Sequence, residues 1–258
     1  MLQNQTLSLM NTLKLHGMAL NWDRRLQSVL SAELPHADFV ALLLQDEKTH
    51  RDNRRQARLL KKAGLRQNAS LEDVNHHHPR GFDKRLWVEL ANPVWISAGR
   101  NLLFTGPTGI GKSWLACALG NFAARQGFSV FYQRAPRLFE TLLASRGDGS
   151  HLRLLDRLAK IQFLIIDDLF VNTLGDLERR DLLEIIEARH QSVATVVTSQ
   201  LPTSHWHAAI GDPTIADAVC DRFLHNAYKL EFTGDSIRKK QAEDKSISTL
   251  VGTQTQGG

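Results

Sequence analysis

The stretch "NLLFTGPTGIGKSW", residues 101–114, joins a short apolar run to a loop that contains three glycines and ends in Lys112 and Ser113. The loop matches the phosphate-binding pattern of a glycine, four residues and then Gly-Lys-Ser. Glycines let backbone N–H groups turn inward around phosphate oxygens, and a helix that begins there adds its positive end. The stretch therefore predicts a strand, a nucleotide-binding loop and a helix, in that order.

The polar residues of this loop have separate chemical tasks. Lys112 supplies a positive charge for the β and γ phosphates, and Ser113 supplies an oxygen to Mg²⁺. ATP and Mg²⁺ are therefore the predicted cofactors. The residues expected to contact the nucleotide here are Gly106, Pro107, Thr108, Gly109, Ile110, Gly111, Lys112, Ser113 and Trp114.

Beyond this loop, apolar strands alternate with helices. Strands are predicted at residues 101–106, 129–134, 163–167 and 194–200, and helices at residues 111–127, 136–145, 151–160 and 176–190. Such alternation favours an α/β fold with a parallel sheet between helices, and ligands bind beyond the carboxyl ends of its strands. The ATPase domain is predicted at residues 83–243.

The third predicted strand, "FLIID", runs into two aspartates, Asp167 and Asp168. Carboxylates on an apolar run need a partner, because burying an unpaired charge is costly. A strand that ends in an acid beside the phosphate loop predicts that Asp167 holds Mg²⁺, usually through its waters, opposite Ser113. Asp168 is predicted to orient the attacking water, and a structural carboxylate is the alternative.

Residues 1–67 are predicted to form a small helical domain, with a long helix after Pro35 that Gly64 could end. Between residues 46 and 66 lie eight basic and three acidic residues, a difference that equals the +5 net charge of the whole chain. This excess predicts contact with a polyanion, and a solvated helix face is the alternative. The predicted DNA contacts are Arg51, Arg54, Arg55, Arg58, Lys61 and Lys62.

The remaining segments constrain the function less. Residues 68–82 are predicted to be a linker, and its three histidines, residues 76–78, favour an exposed loop over a metal site. Residues 244–258 are predicted to be a disordered tail. The two cysteines suit a reducing compartment, and no apolar stretch approaches 18 residues. With no secretory signal visible, a cytoplasmic location without membrane contact is expected.

The chain resembles the IstB-type transposition helper ATPases of bacterial insertion sequences, which are relatives of the DnaC helicase loaders in the AAA+ superfamily. The resemblance covers residues 7–240. It rests on "GPTGIGKSWLACALG" and "LIIDDL", which many ATPases share. More specific are "TSQLPTSHWHAAIGDPTIADAVCDRFLHNAYKLEF" and "GDSIRKK". The N-terminal "LKLHGMA" and "HRDNRRQARLLKKAG" also resemble the small helical domain of these proteins.

Three further site residues are implied by this resemblance. Gln200 lies at the sensor position, where an amide would detect the γ-phosphate or hold the attacking water; a strand-end side chain is the alternative. Arg222 in "CDRF" matches the arginine finger, which in this superfamily reaches the nucleotide of a neighbouring subunit; a surface salt bridge is the alternative. Arg238 in "GDSIRKK" matches the second sensor. Many AAA+ enzymes have Asp-Glu in place of the two aspartates, so slow hydrolysis is expected.

The function implied is that of an AAA+ ATPase that assembles on duplex DNA as a ring or helical homo-oligomer and assists the transposase of the same element. A DnaC-like helicase loader would use the same chemistry with a helicase as its partner. A DNA-coating protein that binds ATP without useful turnover is a second alternative. A small-molecule kinase is a third, but it would leave the basic helical domain and Arg222 unexplained.

Overall fold

The chain folds as two units. The computed structural model describes residues 2–32, 35–74, 84–234 and 236. Internal contacts divide the chain into residues 1–58 and residues 59–258. Among the described helices, none has the length and apolar character needed to cross a membrane. The histidines at 76–78, Arg238 and the predicted tail lie outside the described residues.

The first unit is helical, as predicted. Its helices are α1 (Leu2–Thr12), α2 (His16–Ala32) and α3 (His36–Ala63), and the last turn of α3 belongs to the second unit. The long helix begins directly after Pro35, and it ends before Gly64, which has a φ of +63°. Glycine tolerates this left-handed conformation, which explains why the helix stops there.

Close packing joins the start of α2 to the middle of α3. A Cβ at Gly17 would lie 2.6 Å from both the Asp46 carbonyl oxygen and the His50 Cβ, so only glycine fits this contact. The Glu47 carboxylate accepts hydrogen bonds from the backbone N–H groups of Gly17 and Met18, at 2.6 and 3.2 Å. One buried carboxylate from α3 thus satisfies two amides in the first turn of α2.

Ion pairs add to this packing. Both Asp46 oxygens accept from the Arg25 guanidinium at 2.8 Å. Burial raises the pKa of Glu47, but the Arg51 side chain and the two backbone amides outweigh it and hold that pKa below its usual value. The "LKLHGMA" segment is therefore built around a charged carboxylate supplied by α3.

The second unit is built on a five-stranded parallel sheet with the strand order β2-β3-β4-β1-β5. The strands are β1 (Asn101–Thr105), β2 (Val130–Arg134), β3 (Phe163–Leu169), β4 (Ala194–Ser199) and β5 (Ala227–Glu231). The four predicted strands are confirmed. β3 is two residues longer than predicted, whereas β4 ends one residue earlier and leaves Gln200 outside the strand.

Helices surround this sheet, and those predicted from residue 111 to residue 190 are confirmed. The helices are α4 (Lys84–Leu90), α5 (Val94–Ser97), α6 (Lys112–Arg125), α7 (Ala135–Gly147), α8 (His151–Lys160), α9 (Asp176–Arg189), α10 (Trp206–Ile210) and α11 (Pro213–Leu224). Short 3-10 turns occupy Leu71–Asp73 and Thr203–His205. Five elements were not predicted from the sequence: α4, α5, α10, α11 and β5.

Two apolar clusters pack on the faces of the sheet. Leu102 and Phe104 of β1 belong to one cluster with α6, whereas Leu103 belongs to the other with α7, α9 and α11. Successive side chains of a strand point to opposite faces, so both faces of β1 are buried. This double burial explains the continuous apolar runs from which the strands were predicted.

Part of the predicted linker is packed against this unit. Ala69 and Val74 are buried in the cluster that contains α6. Glu72 forms an ion pair with Arg125 at 2.8 Å, and hydrogen bonds from Ser70, the Glu72 backbone and Arg125 lower the pKa of Glu72 to about 2. This part of the predicted linker is therefore packed against the sheet domain, and small residues in a polar segment gave no sign of that burial.

The contact at Gly17 generates a test of the N-terminal packing. Gly17→Ala should destabilise the fold by about 1–3 kcal/mol, because the new methyl group overlaps the backbone of α3. Gly147→Ala is a matched control, since a Cβ at Gly147 would meet nothing within 4 Å. Thermal unfolding of the full chain, followed by circular dichroism, measures both. Equal midpoints for the two variants would contradict the close approach of α2 and α3.

Candidate nucleotide site and basic helix

The strand order brings the phosphate loop and the two aspartates to one edge of the sheet. The phosphate loop follows the carboxyl end of β1, and the two aspartates lie near the carboxyl end of β3. β4 lies between these strands. The acidic strand is therefore one strand removed from the phosphate loop rather than its immediate neighbour, and β4 can contribute side chains from between them.

The loop itself has the backbone of a phosphate cradle. Gly106, Gly109 and Gly111 have φ values of +135°, +82° and +100°. At Gly106 a Cβ would lie 2.3 Å from the carbonyl oxygen of Phe232, so the following chain leaves room only for glycine. Ile110 is buried in the cluster that contains α6 and anchors the loop. Gly111 is the N-cap of α6, so the positive end of that helix faces the cradle.

Lys112 lies inside this loop. Its side-chain Nζ donates to the carbonyl oxygens of Gly106 and Pro107, at 2.6 and 2.7 Å. Burial lowers the pKa of Lys112, while the nearby carboxylates of Asp168 and Asp167 act in the opposite direction. A buried cation at the start of a helix, with inward-turning glycines, fits the phosphates of a nucleotide.

Asp167 is fully buried and has two hydroxyl partners. The Tyr132 hydroxyl of β2 donates to Oδ2, and the Thr198 hydroxyl of β4 donates to Oδ1, both at 2.6 Å. Burial, and then Asp167 itself, raise the pKa of Tyr132, so its phenol stays a donor. Carboxylate and hydroxyl oxygens are hard ligands that suit Mg²⁺, so Asp167 and the half-buried Ser113 in the first turn of α6 fit this ion.

The backbone at Asp168 departs from regular strand geometry. Its φ is +59°, and the pairing of β3 with β4 shifts register between Ile166 and Leu169. Its backbone N–H donates to the Thr198 hydroxyl, and its carboxylate accepts from Arg134 Nε, both at 2.9 Å. The two aspartates therefore have different surroundings, since one is buried and the other pairs with an exposed arginine.

Tyr132, Thr198 and Arg134 were not predicted from the sequence as members of this site. Tyr132 and Arg134 lie two positions apart on β2, and Arg134 is in register with Asp167. The only sequence signal was polar or hydroxyl-bearing side chains near the ends of two predicted strands. Which carboxylate each one contacts depends on the strand order and on the irregular pairing at the end of β3.

The two residues implied by family likeness lie in different places. Gln200 is exposed and directly follows β4, at the same edge as the phosphate loop. Arg222 lies in the last turn of α11, where its Nη2 pairs with Glu187 Oε1 at 2.9 Å and its Nη1 donates to the Ala218 carbonyl oxygen at 3.2 Å. Within this chain, Arg222 is thus part of a salt bridge.

The predicted DNA-contacting residues lie on α3, and all are exposed. They are Arg51, Arg54, Arg55, Arg58, Lys61 and Lys62. Residues 51, 55, 58 and 62 are separated by four, three and four positions, which places them on one side of the helix. Arg51 donates to the buried Glu47 at 2.6 Å, so part of its charge is already compensated.

Comparisons with known proteins assign this arrangement to a family. The family model for IstB-like ATP binding proteins matches residues 8–245. The chain belongs to the IstB-like ATP-binding protein family. An insertion sequence ATP-binding protein of Sinorhizobium fredii, y4pL, is 46% identical over 241 residues, 93% of this chain and 98% of the relative. The ATP-binding protein of insertion sequence IS1162 from Pseudomonas fluorescens is 45% identical over 205 residues, 79% of this chain and 89% of the relative.

Solved structures give the fold of this IstB-like protein. The DnaC helicase loader has a TM-score of 0.53 at 20% identity, covering 64% of this chain and 97% of that one. DnaI has a TM-score of 0.54 at 23% identity, covering 69% and 94%. The predicted AAA+ fold is confirmed, and so is the resemblance to insertion-sequence ATP-binding proteins. Membership of this family implies nucleotide binding, and the phosphate loop is the part of the structure that fits the phosphates of a nucleotide.

Proposed function

We propose that the protein is an ATPase that assembles on duplex DNA and assists the transposase of its own insertion sequence. The observation that carries this proposal is that one chain contains both a phosphate loop with the backbone of a nucleotide site and an exposed basic helix. Membership of a family of insertion-sequence ATP-binding proteins supports the transposition context. DNA contact, hydrolysis and the transposase partner are each parts of the proposal with their own support.

Hydrolysis is supported by the residues around the cradle. Lys112 would bind the β and γ phosphates, while Ser113 and Asp167 would hold Mg²⁺. When bound, this ion neutralises charge on the phosphates and helps to orient them. Asp168 would orient the attacking water as a base. Arg238 is proposed as the second sensor on sequence likeness, and Gln200 as the first because of its place after β4.

Arg134 holds one oxygen of Asp168, so release of this pair would leave both carboxylate oxygens able to turn toward water. The pair is partly exposed, with 44% of the Arg134 side chain and 19% of the Asp168 side chain accessible, so it can exchange partners. A DNA phosphate is a competing anion for Arg134. Such competition would free Asp168 when the protein is on DNA, which supports slow hydrolysis that DNA stimulates.

Arg134→Gln should therefore raise hydrolysis without DNA and reduce the stimulation by DNA. The expected increase is about 1.4- to 5-fold, because a partly exposed ion pair is worth about 0.2–1 kcal/mol. Steady-state phosphate release with and without duplex DNA measures both effects. Arg137→Gln is the control, because it changes the next exposed arginine along the chain, which lies on α7. A fall in hydrolysis without DNA would show that Arg134 holds Asp168 in its active position instead.

Assembly is supported by the distance of Arg222 from its own cradle. Arg222 lies beside the amino ends of the strands: its carbonyl oxygen contacts His190 Nδ1, and Asn101 at the start of β1 donates to the neighbouring Phe223 carbonyl oxygen. The phosphate loop lies at the other end of β1, roughly 15 Å away along five residues of strand. A finger function for Arg222 therefore requires a second copy, joined head to tail in a ring or helix.

Arg222→Ala should leave ATP binding by single subunits intact and abolish DNA-stimulated hydrolysis. Lys112→Ala should lose ATP binding, because it removes the cation inside the loop. A mixture of the two variants should regain part of the activity, since the second can supply Arg222 to the intact cradle of the first. Arg180→Ala, at an exposed position of α9, is the control. Parental hydrolysis by Arg222→Ala alone would place the finger elsewhere.

DNA contact is proposed for α3. Its exposed arginines and lysines face solvent along one side, and phosphate contacts of this kind bind duplex DNA with little base specificity. The transposase partner follows only from the insertion-sequence family. The fold shared with the DnaC helicase loader keeps a helicase-loading role as the second candidate. Co-purification with the element's transposase, or with a replicative helicase, separates these two.

The dependence of DNA affinity on salt tests the role of α3. If each subunit neutralises about four phosphates, log K should fall with log salt at a slope of about −3.6 per subunit. Arg55→Gln combined with Arg58→Gln should flatten this slope by about two units. Arg153→Gln combined with Arg180→Gln removes the same net charge from the second unit and is the control. Equal slopes for the two double variants would move the DNA contact away from α3.

A further inference from the structure

The carboxylate of Asp167 is enclosed by groups from three strands. Tyr132 comes from β2, Asp167 from β3 and Thr198 from β4, and all three side chains are buried. Each hydroxyl lies 2.6 Å from a different oxygen of the carboxylate. This is the short distance of a charge-assisted O–H···O⁻ bond, in which the donor fixes the acceptor firmly.

The direction of the Tyr132 hydrogen bond is set by its acceptor. An ionised carboxylate can only accept, and a phenol has one proton. That proton therefore goes to Asp167, with the two oxygens 2.6 Å apart. The hydroxyl is thereby committed to Asp167.

A carboxylate that accepts from two hydroxyl donors is still able to bind a metal ion. Each carboxylate oxygen has about two acceptor positions, so one donor per oxygen leaves the others open. With both oxygens held, the carboxylate cannot rotate about its Cβ–Cγ bond without breaking a buried hydrogen bond. Its remaining lone pairs are therefore presented in one orientation, which suits Mg²⁺ because this ion demands near-ideal octahedral geometry.

We propose that Tyr132 is a positioning residue for Mg²⁺, acting with Thr198 to hold Asp167 in the orientation that the metal requires. This inference rests on the proposed role of Asp167 as the metal-side carboxylate. It adds a residue of β2 to a site that would otherwise come from the phosphate loop, β3 and β4. If Tyr132 only filled space in the core, phenylalanine would replace it without effect on the metal.

Tyr132→Phe tests the proposal, because it keeps the ring and removes only the hydroxyl. The measurement is the affinity of the full chain for the fluorescent nucleotide mant-ADP, in EDTA and over a range of Mg²⁺ concentrations. The Mg²⁺ concentration that gives half of the metal-dependent tightening should rise about 10- to 100-fold, the usual effect of losing a group that orients a metal ligand. Affinity in EDTA should stay within about twofold of the parent, because Lys112 and the loop are unchanged.

The chain offers a matched control in its other tyrosine. Tyr228 contacts Glu89 and Arg100 near the start of β5, so Tyr228→Phe removes the same atom away from the carboxyl edge. Its Mg²⁺ dependence should equal that of the parent. A well-folded Tyr132→Phe variant with parental Mg²⁺ dependence would overturn the proposal. If the mant-ADP affinity of the unmutated protein does not depend on Mg²⁺, the metal assignment of Asp167 fails as well. Failure of the Tyr132 proposal alone is therefore distinguishable from failure of the metal assignment.

A second pair of variants covers the case in which Tyr132→Phe does not fold. Thr198→Ser keeps the hydroxyl donor and should retain the parental Mg²⁺ dependence. Thr198→Ala removes that donor and should raise the required Mg²⁺ concentration in the same direction as Tyr132→Phe. Equal Mg²⁺ dependence in these two variants would overturn the proposal, because packing alone would then explain both hydroxyl groups.

Discussion

A fully buried carboxylate is the constraint on which the nucleotide site depends. Asp167 has no accessible surface, and a buried charge is tolerated only when it is hydrogen-bonded or paired. Its partners come from the strands on both sides, β2 and β4, so the charge is satisfied only when these three strands are adjacent in this order. The strand order and the hydrogen bonding of this carboxylate therefore depend on one another.

The packing of the sheet explains why polar side chains gather around this carboxylate. Both faces of β1, β3 and β4 are buried, so the central side chains of these strands are apolar up to the carboxyl ends, where the loops begin. At that edge Thr198 both donates to Asp167 and accepts from the backbone N–H of Asp168. A single hydroxyl thus connects the two aspartates, and it lies on the strand that separates them from the phosphate loop.

The sequence was informative where a pattern is local and much less so where a contact is distant. The phosphate loop, β1 and α6 were predicted because glycines, Lys112 and apolar runs occur within one short stretch. β5 was missed because it is a sheet edge, and "AYKLE" is only partly apolar. Tyr132 was missed because its hydroxyl reaches Asp167 across 35 residues of sequence. The pairing of Arg134 with Asp168 further depends on a left-handed residue and a register shift, which no local pattern indicates.

The hydrogen bonds of the proposed functional residues fall into two classes that suit different tasks. Those to Asp167 are buried, so breaking one leaves an unsatisfied polar group at a cost of about 1–3 kcal/mol. The pair of Arg134 with Asp168 and the pair of Arg222 with Glu187 are partly exposed, and such pairs contribute about 0.2–1 kcal/mol. Water or another anion can replace an exposed partner with little loss. The orientation of Asp167 is therefore held by contacts that persist, while hydrolysis and assembly, as proposed, would depend on arginines whose present partners are easily exchanged for phosphates.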